Sequence, residues 1–194
     1  MVLEKLLNTY ERLKKNIYII KRGSNKPIII RFKDENFFHL VGLHKTNINM
    51  FVPCYITSKT KTYKYLKKNI KKFNNILMSE LKERSVLQSR ITSFCNIVDL
   101  LESNSITLYD LKYKVPGSVY DGDFGLMKIY EDINCLLGLK VIARENISII
   151  CAPQSWMASK KINYLIEHKK SIYMEKIISI PVELHNKQNN LTSL

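Results

Sequence analysis

The chain is short of acids: 17 Asp and Glu stand against 31 Lys and Arg, a formal net charge of +14. So one-sided a surface favours a polyanionic partner, of which nucleic acid is the commonest soluble example. Lysine dominates over arginine, and Asn and Ile are plentiful, a bias that AT-rich coding produces without selection for any ligand. Glycine and proline are few as well, six and five in 194 residues, and nowhere gather into a linker. One domain over 1–194 is therefore expected. Long apolar runs are missing. The opening "MVLEKLLNTYERLKK" mixes charges into its apolar residues, so it reads as neither signal peptide nor membrane span, and a cytoplasmic protein without a membrane partner is expected. Cys54, Cys95, Cys135 and Cys151 lie far apart, without the paired spacing of a zinc site. Three fall in apolar runs, which reads as buried, reduced thiols.

What is present is periodic. Leu3, Leu6, Leu7, Tyr10, Leu13 and Ile17 recur at three and four residues, predicting an amphipathic helix over Val2–Ile20 that Gly23-Ser24-Asn25 stops. "PIIIRFK", Pro27–Lys33, has the β-branched run of a strand. Asp34 then suits the N-cap of a short helix over Glu35–Val41, "ENFFHLV", and Gly42 suits its left-handed end, with Leu43 folded against Phe38. From Tyr63 to Leu101 the spacing is helical again. Beyond Ser103, the runs "ITLYDLKY", "FGLMKIY", "CLLGLKVIA", "ISIICA" and "IYMEKIISIPV", divided by turn formers, predict an antiparallel meander. The expectation is an α+β fold with N-terminal helices (about 1–102) packed on a C-terminal antiparallel sheet (about 103–184) and a disordered tail (about 185–194).

The order of strand, short helix, helical insert and closing sheet, with "IIIRFKDENFFHLVGLHK" at its start, resembles the phage-associated branch of the nuclease fold named for barnase, EndoU, colicin and RelE-like ribonucleases. The resemblance is sharpest at an "HLxGLxK"-like signature, here His39, Leu40, Gly42, Leu43 and Lys45. "ICAPQSWM" is similar to a Pro-Ser-aromatic segment near that family's last strands. The resemblance implies a metal-independent ribonuclease that needs no cofactor.

Such cleavage uses the RNA's own 2′-hydroxyl as nucleophile, so the protein supplies a general base, a general acid and cations for the developing charge. His39 and His44 are five residues apart, about 140° around an ideal helix, and face different ways unless the chain turns at Gly42. With that turn, His39, His44 and Lys45 face one cleft, floored by the sheet with Ser155 at its rim. Arg31, inside an apolar strand, is a phosphate-binding candidate, or an ordinary solvent-face residue. Ser155, Lys160 and Lys161 follow a strand, where a phosphate contact and a plain turn fit equally. Seven lysines and no acid lie between Lys59 and Lys72, interleaved with Tyr63 and Tyr65. That run is either a solvated helix face or an RNA-positioning surface, with Lys67, Lys68, Lys71 and Lys72 as its contacts. Lys128 and Tyr130 share a strand face, and His168 and His185 read as surface residues.

Two function classes follow. One is a metal-independent endoribonuclease, a toxin or defence effector whose partners are RNA and a cognate immunity or antitoxin protein. The other is a catalytically inactive nucleic-acid- or protein-binding module, an inhibitor or accessory protein in phage–host conflict.

Overall fold

Helix α1, Val2–Lys14, buries Leu3, Leu6, Leu7, Tyr10 and Leu13 along one stripe, and there the helical pattern ends. The predicted continuation to Ile20 is instead strand β1, Asn16–Arg22. Its β-branched residues lose side-chain freedom in a helix, and here the backbone finds partners on both sides. Gly23, at φ 58°, turns the chain into β2, Asn25–Arg31, which pairs antiparallel with β1 from Ile17↔Arg31 to Arg22↔Asn25. The computed structural model describes residues 1–53, 58–103, 106–111, 122–160 and 171–185.

After β2 come α2 (Asp34–Leu40), two 3-10 turns (Leu43–Lys45 and Asn47–Phe51), and helices α3 (Lys59–Lys68), α4 (Ile70–Glu83), α5 (Ser85–Thr92) and α6 (Asn96–Glu102). Strands β3 (Thr107–Asp110), β4 (Phe124–Tyr130), β5 (Ile133–Arg144), β6 (Ile149–Ser159), β7 (Ser171–Ile172) and β8 (Lys176–Pro181) follow. The sheet order is β7-β3-β4-β5-β6-β2-β1-β8. Strands β3 to β7 pair with one another antiparallel, as expected, but β8 does not join them directly. The division into a helical half and a strand half does not hold, because the β1–β2 hairpin enters the sheet and β2 lies parallel to β6 through Ile28↔Ile149 and Ile30↔Cys151. β8 then closes on β1.

β6 runs past the predicted "ISIICA" through Trp156. Pro153 is tolerated there because the register with β5 shifts beside it, pairing Pro153 with Leu139 and Ser155 with Gly138. Glu131 and Asp132, both at positive φ, form the β4–β5 turn. The core lies between helices and sheet: Tyr10, Tyr18, Phe37, Tyr63, Phe73, Phe94 and Trp156 are all essentially inaccessible. The Trp156 indole donates to Ser93 Oγ at 3.0 Å, tying sheet to helices. Cys135 and Cys151 are buried, whereas Cys95 is exposed, against the expectation of burial; Cys54 lies outside the described residues. Of the expected tail, 186–194 also lie outside them.

Leu40 is fully buried in this core. Leu40→Ala should lower unfolding free energy by roughly 2 to 5 kcal/mol in urea titration, as core truncations do.

Candidate active site at the Gly42 corner

Phe37, Phe38 and Leu40 bury three sides of α2 and leave His39 half exposed. The expected N-cap, Asp34, is the first helical residue; Lys33 is the cap, and its backbone N–H donates to Asn36 Oδ1 at 2.9 Å. Asp34 instead pairs with Lys14 at 2.5 Å. Gly42, at φ 84° and ψ 11°, ends the helix in the left-handed conformation, and its N–H donates to the His39 carbonyl at 3.1 Å. A side chain there would be strained by the positive φ, and its Cβ would lie 2.7 Å from Arg90 Nη1, so the end of the arginine would have to move.

The corner brings the two imidazoles together. His39 and His44 have ring centroids 4.3 Å apart with 35° between planes, although five residues of unbroken helix would have parted them. Burial lowers the pKa of His39, with Lys59 adding to the effect. Burial pushes His44 down to about 4, the neighbouring His39 pushes the same way, the Phe38 backbone opposes, and Lys45 and Arg90 add further repulsion. Both rings are therefore neutral at pH 7. Nδ1 of His44 is buried with no hydrogen-bond partner.

The cations around them come from separate elements. Lys45 is exposed beside His44, and its carbonyl accepts from Arg84 Nη1 at 2.6 Å while Arg84 pairs with Glu80 at 3.0 Å. Glu80 Oε1 also accepts from Asn47 N, so the end of α4 and the residue after it hold the chain at Lys45 and Asn47. Arg90, from α5, lies over Gly42 with no acid paired to it among the described residues. The sequence reading missed it. Its signal was there: Arg90 falls between Leu87 and Ile91 on the apolar face of a helix, where an arginine needs a reason.

Arg31 and Ser155 are placed elsewhere. On β2, Ile28 and Ile30 turn to the core and Arg31 to the opposite face. Ser155 shares that opposite face of β6 with Gln154, at the register shift. Nε of Arg31, Oε1 of Gln154 and Oγ of Ser155 are buried without hydrogen-bond partners. Among the described residues, no hydrogen bond or ion pair joins Arg31 or Ser155 to either imidazole. Lys160 is exposed after β6, and Lys161 and His168 lie outside the described residues.

Within the lysine run, Lys67 is committed to Glu11 at 2.7 Å. Lys68, Lys71 and Lys72 are exposed. Tyr63 is core, donating to Glu11 at 2.7 Å. Lys128 and Tyr130 share one strand face as expected, and both bind Asp99 of α6, at 2.7 and 2.8 Å. No three His, Cys, Asp or Glu side chains converge among the described residues. No helix among them is long and apolar enough to cross a membrane.

The family described as phage-Barnase-EndoU-ColicinE5/D-RelE like nuclease4, PBECR4, matches residues 3–192. The chain belongs to this nuclease family. Comparison with curated proteins and with solved structures returned no match. In this PBECR4 chain the signature residues His39, Leu40, Gly42, Leu43 and Lys45 divide into two jobs: Leu40 and Leu43 are buried, and the others shape the corner.

Between pH of about 6.5, the ordinary histidine value, and about 4, the folded chain binds fewer protons than the unfolded one at His44. Stability should therefore fall as pH drops through that window. Thermal melts across it should show the fall, and His44→Gln should flatten it.

Proposed function

We propose that the protein is a metal-independent endoribonuclease in which the paired imidazoles of His39 and His44 cleave RNA by 2′-hydroxyl attack. The observation that carries this reading is the 4.3 Å approach of the two imidazole rings, with Lys45 adjoining His44 and Arg90 lying over Gly42. A neutral imidazole takes the 2′-hydroxyl proton as the oxygen bonds to phosphorus. The bond from phosphorus to the 5′-oxygen breaks, leaving a 2′,3′-cyclic phosphate, and an imidazolium returns a proton to the 5′-oxygen. That imidazolium arises on substrate binding, since a phosphate anion favours the charged form of a nearby ring. Two rings this close resist carrying two charges, so one proton serves the pair. Arg90 and Lys45 offset the charge on the equatorial oxygens.

The basic surface and the phage-associated family support an effector acting on RNA of a host or an invader in the cytoplasm. A cognate immunity or antitoxin protein is the partner such an effector requires.

The test is digestion of single-stranded RNA in excess EDTA, with end-group analysis of the products. Cleavage should persist and leave 2′,3′-cyclic phosphate ends. His39→Ala and His44→Ala should each slow it by a hundred-fold to ten-thousand-fold, as loss of a general acid or base does, with RNA affinity and melting temperature little changed. RNA that is bound and left intact by the wild-type protein would make it a binding module instead.

A further inference from the structure

We propose that Phe51, with the Lys72 ammonium over its ring on one side, is a nucleobase-stacking platform serving the imidazole site, so that the protein holds single-stranded RNA by a base as well as by phosphates; this rests on the RNA reading of that site. Phe51 ends the second 3-10 turn with 48% of its surface exposed, beside Met50 at 80%. The Lys72 ammonium lies 5.9 Å from its ring centroid.

The position is fixed, not incidental. Thr46 Oγ1 donates to the Leu43 carbonyl at 2.7 Å and accepts from Ile48 N at 3.3 Å, Asn47 N–H donates to Glu80, and Ile48 is fully buried. The same anchors hold His44, so ring and imidazoles keep one geometry. Six 3-10 steps and one extended residue separate His44 from Phe51, at most about 15 Å. That is about four nucleotides of stacked strand.

The aromatics inside the lysine run are already occupied. Tyr63 is 2% exposed, and Tyr65 packs edge-on to Phe73 at 5.7 Å. Phe51 is half exposed beside Lys72, and neither Lys72 nor the exposed Lys68 and Lys71 of the same run is paired with an acid among the described residues. An apolar protein or lipid occupant would strip water from the Lys72 ammonium without compensation. A nucleotide satisfies both groups, its base on the ring and its phosphate on the ammonium.

Phe51→Trp tests this directly, because the one natural tryptophan, Trp156, is fully buried. In a His39→Ala background, which separates binding from cutting, a short single-stranded oligoadenylate should quench the new indole and inorganic polyphosphate should not. Phe51→Ala should bind the oligonucleotide between roughly five-fold and a hundred-fold more weakly, the range that loss of one stacked base produces. Phe51→Tyr should restore binding, and thermal melts should show all variants folded. Equal quenching by polyphosphate, or wild-type affinity in Phe51→Ala, would overturn the proposal while leaving EDTA-resistant cleavage as it stands. Loss of that cleavage activity with base-dependent quenching retained would leave the platform and remove the ribonuclease.

Discussion

The corner at Gly42 is a backbone conformation that glycine adopts at least cost. A positive φ costs any L-residue with a Cβ, and here Arg90 fills the space the Cβ would need. Everything at the candidate site depends on it. Without the turn, His39 and His44 point to different faces of one helix; with it, their rings come within 4.3 Å, and the arginine lying over the turn has no acid partner among the described residues. The apolar residues between them, Leu40 and Leu43, keep the corner pressed into the core. Packing and chemistry thus share one short segment.

Electrostatics reinforce the arrangement through where the few acids sit. Glu11 takes Lys67, Tyr63 and Lys14; burial opposes its ionisation, but these three partners outweigh burial and hold its pKa at about 2. Asp99 takes Lys128 and Tyr130, and Glu80 takes Arg84. Each of these acids joins one element to another. Spent on architecture, they leave Lys45, Lys68, Lys71 and Lys72 exposed without an acid partner among the described residues, and Arg90 packed over Gly42 likewise unpaired, which suits a phosphate chain. Burial is the main cause of the lowered pKa of both imidazoles, and the neighbouring cations push the same way.

Much of this was legible in the sequence where a local rule governed. The αL glycine, the short helix before it and the buried leucines around it follow from cap chemistry and spacing within a dozen residues. What was not legible depended on distant partners. Ile17 and its neighbours continue the helical stripe of α1, yet Asn16–Arg22 becomes a strand because β2 and β8 flank it, and the run "IYMEKIISIPV" announces β8 without announcing that it pairs with β1. The parallel β2–β6 pair joins residues more than a hundred positions apart. Arg90 is a site residue only because α5 packs over Gly42, and Tyr63, which looked like a stacking surface, is core because Glu11 receives its hydroxyl.

Which face of the molecule receives the phosphate is the central question, and the histidine resonances answer it. We would titrate the protein with an uncleavable 2′-deoxy dinucleotide and follow both imidazoles by NMR across pH. The account predicts that His39 and His44 shift together and that their protonation midpoint rises as the phosphate binds. Shifts confined to the Arg31, Gln154 and Ser155 face of the sheet, with both imidazoles unmoved, would contradict it.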